Sequence, residues 1–448
     1  QLTFSIFTYQ SIQREKDLGT QFLDGFFFNL SSTISNEEFR LKARKSSFDF
    51  SRERKLSLAQ LVLTIMSFTK CGIQAELSRL FYFIADHKGN FLTYSKSAFS
   101  QARKKLSGDV FIYLNRFALS YFDNHSVHKT NWKGFLPVAI DGSTLILPEN
   151  DSLKERFVGC YNQTGKVIST ARTSIAYDVC NRMTLDAVID SYTTSEVVLA
   201  KRHLEHLDSS KHLLVFDRLY PSYNFFLELN KQGFKYCFRL SSQWKQAYRL
   251  LKNRNEVIWK IPQGLIYRQG NQKLTLGKSF SVRLVKIRLS SGKDEILLTN
   301  LYDGISINDL KELYAMRWHV EECYKRIKQI SQMEYFSGKT IESIEQDFFA
   351  RILMLNISAM IETQALQPGI DKILAKKTVI HMQQPNRTQI YASLKERLYL
   401  LMLLEKSETL NFMLKTLMIC RDIVRNERSF ERIIARKPHK KALNYKAR

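Results

Sequence analysis

The chain has 448 residues, with 68 Lys and Arg against 43 Asp and Glu, a net charge of +25. A hydrophobic fraction of 44%, with 30 Phe and 20 Tyr, supplies a large core and excludes global disorder, while 17 Gly and 7 Pro exclude collagen-like and low-complexity classes. The positive excess points to a polyanionic partner, nucleic acid first and an anionic membrane surface second.

Six Cys are spread along the chain with no CxxC pair, which argues against a zinc site or disulfide framework and for reduced thiols. No apolar run approaches the ~20 residues that span a bilayer; the best, Leu58 to Phe68, is short and broken by Gln60, Thr64 and Ser67. The N-terminus shows no secretion signal. It lacks an initiator Met, so a processed or trimmed start is expected.

In chain order, residues 1 to about 130 read as helical. Ser57–Thr69 and Ile73–His87 carry helical apolar stripes, the second through Leu77, Leu80, Phe81 and Ile84 before a break at Gly89-Asn90. Ser95 caps a helix running to Leu106 with a basic face of Lys96, Arg103, Lys104 and Lys105, followed by a helix over Val110–Phe122. The segment Arg40–Lys55 is dense in basic residues. Near Leu136 the pattern changes. Leu136–Ile140 is an apolar run ending in Asp141-Gly142, and Thr144–Leu147 continues extended. Ile168–Asp178 and Met183–Ser191 read as strands joined at Cys180-Asn181-Arg182, Glu196–Leu207 as helix, and His212–Phe216 as a strand ending in Asp217. Tyr223–Asn230 is helical and Phe234–Leu240 extended. This β-β-β-α-β-α-β order predicts an α/β fold with a mixed sheet. Residues 241–300 are strand-rich, punctuated by Gly264, Gly270, Gly277 and Gly292. Helices are predicted over 308–330, 341–366 and 390–434, then a basic tail at 436–448.

The chemistry concentrates on one helix. Ser306-x-x-Asp309 is a capping box that starts it, and Tyr314, Arg317, Glu321 and Lys328 follow at spacings that fall on nearly one helical stripe. A carboxylate between two cations suits a site that handles a metal ion and phosphates together. Asp141 and Asp217 are expected at strand ends, where a rigid backbone holds an accessible side chain. Two Asp and one Glu supply hard oxygen ligands for two magnesium ions, one to activate water or a 3′-hydroxyl and one to stabilise the leaving oxygen. Taken singly, the competing readings are ordinary: a surface helix with chance ion pairs, a turn-forming Asp before Gly, a loop Asp paired with Arg218.

The stretch Tyr314-x2-Arg317-x3-Glu321-x6-Lys328, with Ile140-Asp141-Gly142-Ser143 and Phe216-Asp217-Arg218-Leu219-Tyr220, resembles the motifs of DDE transposases of the insertion-sequence-four family. The likeness runs from about Leu136 to Ile361; Leu219 departs from it, standing where Gly is frequent. The resemblance implies an RNase H-like catalytic core interrupted by a β-rich insertion, and cut-and-paste transposition through a DNA hairpin. It also implies magnesium, or manganese in its place, at Asp141, Asp217 and Glu321. The expected divisions are a helical DNA-binding region at 1–130, core at 131–240 and 301–366, insertion at 241–300, and a helical C-terminal region at 367–448. Expected partners are terminal inverted repeats, target duplex and a second copy in a synaptic homodimer, in a bacterial, nucleoid-associated cytoplasmic protein.

Further DNA contacts are expected from Tyr314, Arg317 and Lys328 near the cut, and from Arg103, Lys104 and Lys105 on the basic helix. Trp244 or Trp259 is expected to hold a base drawn from the stack, against the plainer reading that both pack the insertion. Trp318 is expected in the core. The pairs His125-x2-His128 and His203-x2-His206 have metal-like spacing but read as structural. Three other functions stay open: a structure-specific nuclease without strand transfer, a domesticated non-catalytic regulator, and, weakest, a membrane-surface binder.

Overall fold

A computed structural model describes residues 2–424 apart from 53, 69–70, 89–93, 162–164, 166, 270–271, 290–291, 376–381 and 404–406. The tail 436–448, the last part of the helix expected over 390–434, Gln1, Thr69, the Gly89-Asn90 break, Gly270 and the side chain of Ile84 lie outside that description.

In chain order, the elements before the sheet are α1 (Leu2–Ser35), α2 (Glu37–Ala43), α3 (Leu58–Ser67), α4 (Ile73–Lys88), α5 (Lys96–Lys104) and α6 (Asp109–His125). Next come β1 (Leu136–Ile146), α7 (Asp151–Phe157), β2 (Cys160–Tyr161), β3 (Val167–Ile168), β4 (Thr170–Asp178), β5 (Met183–Ser191), α8 (Glu196–Leu204), β6 (His212–Phe216), α9 (Tyr223–Lys231) and β7 (Lys235–Leu240). They are followed by α10 (Lys245–Leu250), β8 (Glu256–Ile261), β9 (Ile266–Gln269), β10 (Gln272–Thr275), β11 (Phe280–Arg288) and β12 (Asp294–Thr299). The last group is α11 (Ile307–Met316), α12 (Trp318–Lys325), α13 (Ile341–Met360), α14 (Gln367–Ala375), β13 (Gln383–Pro385), α15 (Arg387–Leu403), α16 (Ser407–Ile419) and β14 (Arg421–Ile423).

The chain forms two compact units, one drawn from Gln1–Lys129, Leu145–Ala171 and Arg326–Arg448, the other from Thr130–Thr144 and Arg172–Lys325. The first is helical. Its centre is α13, buried along nearly its whole circumference, and such a helix needs cover on every side. It packs against α3 and α6 from the N-terminal region and α15 from the C-terminal region. The helical regions read as separate at 1–130 and 367–448 therefore share one core, and the stretch expected as core at 301–366 divides after Lys325.

The second unit is built on an eight-stranded mixed sheet of order β5-β4-β1-β6-β7-β12-β11-β8. β1, β6 and β7 run parallel, while β12, β11 and β8 follow antiparallel. The sheet is mixed, as expected from the order of elements. The strand-rich segment 241–300 contributes the last three strands of this same sheet, β12, β11 and β8, while its β9 and β10 pair apart from it. Parallel strands need both faces covered, and β6 shows how. Leu214 and Phe216 join the apolar layer that includes residues of α8 and α9, whereas Leu213 and Val215 join the layer with Leu310, Leu313 and Tyr314 of α11.

Candidate active site

The register of β1 on β6 pairs Leu136 with His212 through to Ile140 with Phe216. Asp141 and Asp217 are the next residue on each strand. Neighbouring strands lie about 4.8 Å apart and side chains alternate. Val138, Ile140, Leu214 and Phe216 face α8 and α9, so Asp141 and Asp217 follow on the opposite face, the one covered by α11. Asp217 stands past the end of β6, as expected from the sequence. Asp141 does not stand at a strand end: β1 continues to Ile146, because β4 neighbours it after β6 has stopped.

The helix expected over 308–330 starts at the Ser306–Asp309 capping box but is not uniform. Hydrogen bonds from Arg317 N to Tyr314 O and from Val320 N to Arg317 O tighten it between α11 and α12, and a π-helical turn, Arg326–Ile330, follows. A stripe counted on an ideal helix does not persist through either irregularity. Tyr314, Arg317 and Glu321 still converge. The Tyr314 hydroxyl donates to Asp217 Oδ1 at 3.3 Å, Arg317 Nη2 donates to Glu321 Oε1 at 2.8 Å, and the guanidinium lies 5.6 Å from the Tyr314 ring centre. Arg317 is buried, and its Nε has no hydrogen-bond acceptor.

Burial pushes the Asp141 carboxyl up to about 7; Arg317 and the Gly142 N–H pull it down, and Glu196 and Asp217 push it further up. The Gly142 N–H donates to Asp141 Oδ1 at 2.9 Å. Gly142 leaves room for Glu196: a Cβ at 142 would lie 2.8 Å from the Glu196 Cγ and Cδ, so that side chain would have to move. Tyr324, one helical turn after Glu321, donates from its hydroxyl to the Asp141 carbonyl at 2.8 Å. The Tyr220 hydroxyl is buried without a partner, and burial first, then Asp141 and Glu196, push it well above the ordinary range. Sequence reasoning missed Tyr220, Tyr324 and Glu196. The first two stand three residues beyond a selected carboxylate, a spacing that would have found them.

Asp141, Asp217 and Glu321 are hard oxygen donors, the kind that suit magnesium or manganese, and mutual repulsion in a partly buried place favours a cation. Among the described residues no three or more such side chains stand close enough to clasp one as they are; Glu321 is drawn to Arg317.

The other selected residues are placed as follows. Lys328 lies in the π-helical turn within the helical unit, where burial lowers its ammonium pKa and Glu334 opposes the shift. Arg103 leaves the expected basic face: it is buried, and its guanidinium donates to Gln346, Ser337, Asp347 and the Ser343 carbonyl. Lys104 is exposed, and Lys105 pairs with Asp49 at 3.5 Å. Trp244 and Trp259 are half-buried around Tyr223, with ring centres 5.0 and 6.3 Å from it. Trp318, expected in the core, is 47% exposed with the Lys325 ammonium over its ring. His125 stacks on Tyr121, and His203 is hydrogen-bonded to Asp186 and Ser174.

Fold and site together give a mixed sheet that presents two Asp on one face, with a Glu-bearing helix on that side. The chain belongs to the family of the transposase DDE domain, which it matches over residues 132–357. It is 24% identical over 321 residues to the transposase InsG for insertion sequence element IS4 of Escherichia coli strain K12, covering 68% of this chain and 70% of that one. It is 27% identical over 165 residues to the putative transposase InsZ of the same organism, covering 36% and 54%. A cryo-EM structure of a piggyBac transposase synaptic complex with hairpin DNA aligns at a TM-score of 0.41 and 13% identity, over 89% of this chain and 81% of that one. Among the described residues no helix is long and apolar enough to cross a membrane.

Proposed function

We propose that this DDE transposase cleaves the ends of its mobile element by metal-dependent phosphoryl transfer and joins the freed 3′-hydroxyls to target DNA, through a hairpin and as a synaptic homodimer. The observation that carries the reading is the placement of Asp141 and Asp217 beyond the last β1–β6 pair, on the face where Tyr314, Arg317 and Glu321 gather. Asp141, Asp217 and Glu321 would hold magnesium, or manganese in its place. A divalent pair supplies activation of the attacking hydroxyl and charge stabilisation on the leaving oxygen. Tyr314 orients Asp217 through its hydroxyl. Arg317 orients Glu321 and keeps a buried Nε–H for a phosphate oxygen. Lys328 and Lys104 are assigned to DNA phosphates, and Trp244 or Trp259 to a displaced base.

The test is Asp141→Asn on a duplex bearing the element's end, with magnesium. Binding should persist and cleavage should be lost; unimpaired cleavage would sink the assignment. Joining of a pre-cut end to a plasmid separates transposition from the plain nuclease reading.

A further inference from the structure

Beneath β1 lies a polar chain that the reaction does not touch. His203 of α8 is fully buried, with Nδ1 2.6 Å from Asp186 Oδ2 on β5 and Nε2 2.9 Å from the Ser174 hydroxyl on β4. Ser174, also fully buried, donates in turn to the carbonyl of Asp141 at 3.3 Å. Ser, His and Asp in a cleft would suggest an activated nucleophile. Here the hydroxyl and the imidazole have no exposed surface, so no substrate can reach them, and another role must explain a buried polar chain.

Its end point supplies that role. The β1–β6 pairing stops at Ile140, just before Asp141. The Asp141 carbonyl then takes two side-chain hydroxyls, Ser174 at 3.3 Å and Tyr324 at 2.8 Å. Ser174 shares the face of β4 that Ala176 presents toward α8, whereas Tyr324 comes from α12. The peptide that aims the Asp141 carboxylate is thus held by hydroxyls from two different elements.

We propose that Asp186, His203 and Ser174 are positioning residues that, together with Tyr324, fix the Asp141 backbone and so the direction of its carboxylate. Asp186 orients the ring, the ring orients the Ser174 hydroxyl, and the hydroxyl holds the carbonyl. Outer partners of metal-holding carboxylates typically matter by about 10–100-fold in affinity or rate. The inference rests on the reading of Asp141 as a metal-holding residue.

The test compares full-length Ser174→Ala, Asp186→Asn and Asp141→Asn, following end cleavage and Mn(II) binding by electron paramagnetic resonance. Ser174→Ala should lower kcat about 10–100-fold with KM for the end duplex unchanged, and weaken Mn(II) binding about tenfold or more. Asp186→Asn, nearly isosteric and three hydrogen bonds from Asp141, should shift both in the same direction by less, and serves alone should Ser174→Ala fail to fold. Wild-type kcat and Mn(II) affinity in these variants, beside an inactive Asp141→Asn, would overturn the relay alone. Unimpaired cleavage by Asp141→Asn would overturn the underlying reading and the relay with it.

Discussion

Arg103 and Arg317 both stand on helices with a basic or mixed-charge stripe, and both are buried. Their surroundings differ. Around Arg103, on α5, four acceptors from Ser337 to Asp347 close over the guanidinium. Around Arg317, between α11 and α12, Nη2 meets Glu321 while Nε is buried without an acceptor, near the Asp141 and Asp217 carboxylates that repel one another. A saturated arginine ties helices together. An unsaturated one keeps hydrogen-bonding capacity for something that arrives. For an arginine in a basic protein, what distinguishes the two roles is the number of acceptors the fold has already provided.

This contrast can be broken by substitution. Arg103→Ala leaves the fully buried Asp347 carboxylate without its ion pair, so unfolding free energy should fall by about 3–5 kcal/mol. Denaturant melts would measure this, and a loss under 1 kcal/mol would show that Arg103 is not a clamp. Arg317→Ala should instead slow end cleavage by about 10²–10³-fold, the scale of one lost charge-stabilising donor, with a much smaller effect on the thermal midpoint. Equal damage to stability and rate would erase the distinction.

The next effect concerns pH. Burial holds the Asp141 carboxyl at about 7 against an ordinary 3.8. The folded chain keeps that proton where the unfolded chain releases it. The stabilisation is therefore complete below about 4 and lost as pH rises through 7. In chelator, Asp141→Asn should raise the thermal midpoint more at pH 8 than at pH 4, and equal shifts would refute the placement. The smallest change is expected at exposed Lys104, where Ala should leave stability intact and reduce the salt slope of DNA binding by about one.

Much of this was readable from local pattern. His212–Phe216 is a strand with the bounds that its apolar run predicts, and the Ser306–Asp309 capping box starts α11 as expected. Asp141, Asp217 and Glu321 are marked in the sequence by their motifs, not by contacts. What the pattern could not show was determined by residues far away in the chain. The burial of Arg103 depends on a loop and helix more than two hundred residues later. The π-helical turn around Lys328 breaks a spacing rule that assumes one helical geometry. Ser174, Asp186 and His203 come from three separate elements, so no spacing links them. Trp318 was assigned by helical angle alone, yet it lies three residues before Glu321 and shares its partly open side.

The strands of segment 241–300 bear on how the site is held. Asp141 and Asp217 follow neighbouring parallel strands, β1 and β6. Glu321 follows β12, which pairs with β7 and β11 toward the far side of the sheet. The three carboxylates are therefore carried by chain segments that a single sheet ties together, so the repulsion among them is borne by its whole hydrogen-bonded ladder and not by one loop.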